Sequence, residues 1–149
     1  MPVTRIAIRE GKTAEYKQAL MDEIYDAMRE TVAIKDGDRF MAITEHHEHE
    51  FAYGPFLGIE LTTDLVQIQI FWAAGKTADA KLAMYERIVE RLATSPGVRP
   101  EDVLISVVES AAENWSFGNG ETQFYSVGER DRGVGGDDQL GSSTEVART

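Results

Sequence analysis

Two stretches of this chain carry residue types able to do chemistry. The first is Met1-Pro2. Trimming a Met that precedes a small residue such as proline leaves the proline nitrogen as the amino terminus. That nitrogen is a secondary amine, at once a nucleophile and a base, and a free α-amino group titrates near ~7.7–8.0. Burial lowers this value by desolvating the charged form, whereas a nearby carboxylate raises it. Pro2 is therefore suited to act as a neutral base or as a cationic acid. The plainer role is to start a strand, a position that proline tolerates. The second stretch is Glu45-His46-His47-Glu48-His49-Glu50. Along a strand His47 and His49 would share a side, and two imidazoles with a carboxylate can bind zinc. The run lacks the helical His-Glu-x-x-His spacing, so a polar strand end is expected here and no metal site. The chain has no cysteine, which excludes disulfides, thiolate metal sites and cysteine nucleophiles.

The elements that must position these residues follow from length and pattern. At 149 residues and 42% hydrophobic, the chain fits one domain with a core, plus a tail. The first residues read as a strand rather than a leader, since acidic residues appear by Glu10. No stretch reaches the ~20 apolar residues of a membrane span. A cytoplasmic protein is expected. The net charge of −11 argues against nucleic acid as a partner, because phosphate binding needs clustered Lys and Arg.

Val3 to Ile8 is a short apolar strand. Thr13 then suits a helix N-cap, with Glu15 at the positive end of the dipole. Tyr16, Ala19, Leu20, Ile24, Ala27 and Met28 recur at three- and four-residue steps, which predicts a helix ending near Thr31. A second strand is expected over about Arg39 to His46. From His47 to Asp64 the pattern loosens into a connector, with a short extended piece near Leu57-Gly58-Ile59. Val66, Ile68, Ile70 and Trp72 alternate with Gln67, Gln69 and Phe71, which is a strand's period. A helix follows from Thr77 to about Ala93 and stops before Ser95-Pro96-Gly97. Val103 to Val108 is the last predicted strand.

The two halves, about residues 2–46 and 65–109, read as copies. A shift of 64 residues lays Gly11-Lys12-Thr13-Ala14 on Gly75-Lys76-Thr77-Ala78. It also lays Lys17 on Lys81, Ile24 on Ile88, Asp38 on Asp102 and Glu45 on Glu109. Each half is then a β-α-β unit of parallel strands with a crossover helix. Two units together give an α/β (α+β) four-stranded sheet with both helices on one face. The other face has no helix to cover it and is expected to pack on further subunits. Pro2 aligns with Val66, an ordinary strand residue, so the duplication predicts one site per subunit. After Ser110, the Ala111–Gly120 stretch reads as a hairpin or flap carrying Trp115 and Phe117. Residues 128–149 turn to Gly, Ser, Asp and Arg and read as a flexible tail beyond a 1–127 domain.

Several motifs together carry a family resemblance. They are Pro2, Arg9-Glu10-Gly11-Lys12-Thr13, Gly37-Asp38-Arg39-Phe40, Thr44-Glu45-His46, Leu57-Gly58-Ile59, Ile68-Gln69-Ile70 and Asn114-Trp115-Ser116-Phe117-Gly118. Over residues 2 to 127 the chain resembles the tautomerase superfamily, in particular its malonate semialdehyde decarboxylase-like group. The resemblance implies a homotrimer of doubled subunits and a pocket around the amino-terminal proline, with neither metal nor cofactor. It implies Pro2 as the central catalytic group and Asp38 as its helper, orienting water or supporting the cationic proline. A carboxylate beside the amine favours its charged form. A prolinium can then hydrogen-bond a substrate carbonyl and stabilise the enolate left when carbon dioxide departs.

The chain departs from that group in one place. Decarboxylases of the group carry two arginines after the third strand, where this sequence has Ala73 and Gly75. Lys76 is the nearest cation, a point charge where arginine offers a fork. Arg39 is the second candidate for holding substrate. Phe71 and Trp72 suggest a more apolar pocket, and Trp115 and Phe117 match the family's pocket wall. The expected activity is metal-free decarboxylation of a small oxo acid. Keto–enol tautomerisation of a phenylpyruvate-type substrate, hydration of an unsaturated acid, and a non-catalytic trimeric scaffold are the alternatives.

Overall fold

The computed structural model describes residues 1–123. They divide into two compact units, the boundary falling between Ala111 and Ala112 in the chain. The first runs β1 (Val3–Arg9), α1 (Ala14–Val32), β2 (Phe40–His46), β3 (Val66–Ala73), α2 (Ala78–Thr94) and β4 (Val103–Ser110). These bounds lie within two residues of those the sequence pattern predicts.

Thr13 caps the first long helix as its position predicts, and Thr77, expected as the first residue of the second, caps that helix instead. The Thr13 hydroxyl accepts the Tyr16 N–H at 3.1 Å, and the Thr77 hydroxyl accepts the Ala80 N–H at 3.2 Å. The sheet order is β2-β1-β3-β4. β1 is parallel to β2 and β3 to β4, while β1 and β3 run antiparallel at the centre. Each half is thus a β-α-β unit. Positions 64 apart make matching contacts: Lys17 pairs with Glu45 at 3.1 Å, and Lys81 with Glu109 at 2.9 Å.

The core lies between the helices and one sheet face. Ile6 and Ile8 of β1 and Val66, Ile68, Ile70 and Trp72 of β3 pack against Leu20, Ile24, Ala27 and Met28 of α1 and Met84, Ile88 and Leu92 of α2. Removing one such side chain costs about 2–5 kcal/mol. Arg91 of α2 reaches Glu23, Asp26 and Glu30 of α1, and Arg87 reaches Glu30. Partners that descend along α1 as α2 ascends show that the helices run antiparallel. The opposite sheet face carries Arg5, Phe40, Gln69, Phe71, Leu104 and Val108, with Phe40, Leu104 and Val108 exposed.

Two local features differ from the sequence reading. β2 stops at His46, and Glu48–Glu50 form a 3-10 turn, so His47 and His49 do not continue a strand. The Glu50 carboxylate accepts the His47 N–H at 3.2 Å, closing the turn. In the connector, Phe56 and Ile59 exchange backbone hydrogen bonds of 3.2 and 3.0 Å around Leu57 and Gly58, both at positive φ. It is a tight turn rather than an extended piece.

In the second unit, Ala112–Asn114 form a 3-10 turn and no strand occurs among its described residues. The Gln123 side chain accepts the Phe117 N–H at 2.9 Å and donates to the Gly118 carbonyl at 3.2 Å. Of the hairpin or flap expected here, the described residues show no hairpin ladder, and these side-chain bonds hold the segment instead. The tail predicted over 128–149 lies outside the described residues.

Candidate active site

Strand register gathers most of the expected site at one end of the sheet. Val3 stands opposite Phe40 on one side and Phe71 on the other. The residues just before β1, just before β2 and just after β3 therefore converge. They are Pro2, Asp38 with Arg39, and the turn that leads to Lys76.

Pro2 is buried. The adjoining amine of Met1 lies 3.9 Å from the Asp38 carboxylate, which is partly exposed. Thr4, two residues further on, is buried on the core side, and its hydroxyl has no partner among the described residues. Asp102, the position matching Asp38, does something else. It is 0% exposed and accepts the N–H and the hydroxyl of Thr62, both at 2.6 Å, with the Arg99 guanidinium at 3.3 Å. Asp102 thus fastens the connector to the far end of the sheet. The two aspartates share a place in the repeat but not a task.

The other predicted residues are distributed unevenly. Arg39 is ion-paired with Asp22 of α1 and stands over the Tyr25 ring, 5.3 Å from its centroid. The Lys76 ammonium donates to the Val32 carbonyl at 3.0 Å, at the C-terminal end of α1, where a cation also suits the dipole. Its counterpart Lys12 pairs with Asp64 and lies over the Tyr16 ring.

Trp72 belongs to the core. Only 3% exposed, it faces the helices because its alternation partners Val66, Ile68 and Ile70 do. Its indole N–H donates to Glu109 at 3.2 Å. A hydrogen bond from Lys81, aided by this indole, holds the Glu109 carboxyl below the usual range. Phe71 lies on the open face, under the Arg5 guanidinium at 6.0 Å. Trp115 and Phe117 lie in the second unit, stacked with centroids 5.5 Å apart.

The histidines have separate partners. His46 stacks on Phe51 at 5.5 Å and has its Nε2 3.1 Å from the Thr44 hydroxyl. His47 Nδ1 lies 2.6 Å from Glu10.

Sequence reasoning missed the group that holds Asp38. Tyr25 has its hydroxyl against the Lys35–Arg39 turn, and Asp22 anchors Arg39. The only signal available was that both lie a turn apart on α1, on a side that the apolar stripe leaves free.

Comparison with known proteins bears on this arrangement. A family model described as a tautomerase enzyme matches residues 38–118, and a second with the same description matches residues 2–57. The probable tautomerase YusQ of Bacillus subtilis (strain 168) is 36% identical over 124 residues, covering 83% of this chain and 98% of the relative. The probable tautomerase YrdN of the same organism is 30% identical over 125 residues, covering 83% and 96%. Among solved structures, FG41 malonate semialdehyde decarboxylase inhibited by 3-bromopropiolate superposes with a TM-score of 0.77 at 33% identity, covering 82% of this chain and 93% of that one. A fused 4-OT symmetric trimer matches with a TM-score of 0.68 at 18% identity, covering 80% and 94%, a likeness of fold. The chain belongs to the tautomerase family. It is a tautomerase-superfamily enzyme, and membership decides between enzyme and scaffold in favour of the enzyme.

Proposed function

We propose that the protein acts on a small oxo acid through the amine of Pro2, with Asp38 as its helper. The observation that carries the reading is the Asp38 carboxylate 3.9 Å from the chain's amine, beside a buried proline. Loss of Met1 passes the amine to Pro2. The carboxylate then favours the prolinium, which donates a hydrogen bond to the substrate's carbonyl oxygen. When the bond to the carboxyl carbon breaks, its electron pair moves onto that oxygen, carbon dioxide leaves, and the prolinium stabilises the enolate. Malonate semialdehyde is the leading substrate, on the strength of the 33%-identical decarboxylase that shares the fold.

A keto–enol tautomerase is the second reading. The relatives in Bacillus subtilis are named probable tautomerases, and Ala73 and Gly75 stand where the decarboxylase group carries arginines. Here the neutral Pro2 nitrogen takes a proton from one atom of the enol or ketone and returns it to another, as for phenylpyruvate. In both readings Lys76 holds the substrate's carboxylate, since an ammonium has two protons left after its bond to Val32. Arg39 is a further proposed substrate contact, and Trp115 and Phe117 are proposed as contacts on the strength of the resemblance; Trp72 stays in the core and supports Glu109 through its indole N–H.

The protein is further proposed to be a homotrimer, with the uncovered sheet face as the interface and residues 1–127 as the catalytic domain. Exposed Phe40, Leu104 and Val108 on that face support this, as does the fold's likeness to fused 4-OT trimers. Neither nucleic acid nor membrane is a proposed partner. The charge of −11 opposes the first, and no helix among the described residues is long and apolar enough to cross a bilayer. A cytoplasmic site of action fits these properties.

Intact-mass and peptide mass spectrometry after treatment with 3-bromopropiolate test the reading. Loss of Met1 and an adduct on Pro2 are expected. A retained Met1, or labelling elsewhere with Pro2 untouched, contradicts it.

A further inference from the structure

The turn that carries Asp38 is organised around one side chain of α1, Tyr25. The Tyr25 hydroxyl accepts the Gly37 N–H at 3.1 Å and donates to the Lys35 carbonyl at 3.5 Å. That same carbonyl accepts the Asp38 N–H at 3.1 Å, and the Arg39 N–H closes on the Gly37 carbonyl at 2.8 Å. One hydroxyl therefore bonds both strands of the turn's own hydrogen-bonded loop. The Tyr25 ring lies beneath two guanidiniums, Arg29 at 5.7 Å and Arg39 at 5.3 Å from its centroid. Arg29 is ion-paired with Asp36 of the turn, and Arg39, also of the turn, with Asp22 of α1. Lys35, Asp36, Gly37 and Arg39 are thus all tied to α1 around Tyr25. Only Asp38 turns its carboxylate away, toward the amine.

A loop held at one residue swings; a loop held at four of five presents the fifth at a fixed distance. Gly37, at φ +85°, supplies the left-handed corner that lets Asp38 point away from its neighbours. Attraction between a carboxylate and an amine falls with distance, so the charge state of the amine depends on how firmly this turn is held.

We propose that Tyr25 is a positioning residue, whose hydroxyl sets the Asp38 carboxylate against the amino-terminal nitrogen and so tunes its protonation. The proposal rests on the Pro2–Asp38 reading above and deepens it. The test follows the isotope-labelled Pro2 nitrogen by NMR titration in the full chain. It compares wild type, Tyr25→Phe, Asp38→Asn and the double variant. Tyr25→Phe keeps the ring and its guanidinium contacts and loses only the hydroxyl.

The expected result is a downward shift of the amine's titration in Tyr25→Phe, in the same direction as Asp38→Asn and smaller. Adding Tyr25→Phe to Asp38→Asn should produce no further shift. A shift with Asp38→Asn and none with Tyr25→Phe overturns the positioning role and leaves the Pro2–Asp38 pair standing. No shift with Asp38→Asn overturns the pair itself, and Tyr25 with it. Additive shifts in the double variant show that Tyr25 acts by some route other than Asp38 and also overturn the proposal. Thermal unfolding of each variant separates these outcomes from loss of fold, since simple destabilisation does not move the titration of an amine in the folded fraction.

Discussion

The carboxylate of Asp38 lies 3.9 Å from the chain's amine, whereas its repeat counterpart Asp102 is fully buried and bound to Thr62 and Arg99. The repeat places an aspartate before the second strand of each unit. Because β1 and β3 are antiparallel, the two aspartates come to opposite ends of the sheet. Only one end has an amino terminus beside it. A duplicated framework thus yields one aspartate beside the amine, the pair proposed above as catalytic, and one structural anchor.

The structural half of that division is open to test. Asp102→Ala removes a buried carboxylate and orphans the Thr62 N–H and the Arg99 contact, at a cost of about 3 kcal/mol or more. Urea unfolding should show that loss. The KM of the remaining folded enzyme should not change, because the anchor lies at the far end of the sheet from Pro2.

Acid should weaken the contact behind the proposed site. Glu109 is held below the usual carboxylate range by Lys81 first and by Trp72 in support. An unfolded chain therefore binds more protons at this position than the folded one does. Its stabilising effect is full above the ordinary glutamate pKa of ~4.3 and fades as pH falls through the depressed value. Thermal midpoints of wild type and Glu109→Gln should differ at neutral pH and converge in acid. A gap that stays constant to the lowest pH contradicts the account.

Lys76 has two claims on its ammonium, the Val32 carbonyl and the substrate. Lys76→Met should raise KM for a carboxylate substrate about tenfold, the order of one lost charged hydrogen bond, while kcat falls less. An unchanged KM with a lower thermal midpoint would reduce Lys76 to a cap on α1.

Much of this was legible in the chain, and what was not has physical causes. Thr13 marked the start of α1 because a capping hydroxyl is a local device. The strand alternation of Val66 to Trp72 gave β3, and it also decides the fate of Trp72. Read for chemistry, Trp72 suggested a pocket wall; read for phase, it belongs with Val66, Ile68 and Ile70 in the core, where the structure puts it. Leu57 was illegible for the opposite reason. A leucine at φ +53° violates local preference, and only the hydrogen bonds between Phe56 and Ile59 show that the chain turns there. The support for Asp38 could not be read either. Tyr25 acts across ten residues and more, and nothing in its spacing names Lys35 or Gly37 as partners.

The central claim is that the Pro2 amine does the chemistry. Its most direct test is the rate of wild type against Pro2→Ala on malonate semialdehyde and on enol phenylpyruvate, with folding of the variant confirmed by circular dichroism. The account predicts that Pro2→Ala loses about 100-fold or more on whichever substrate wild type turns over, the order expected for a positioned acid or base. Equal rates for the two proteins would contradict it.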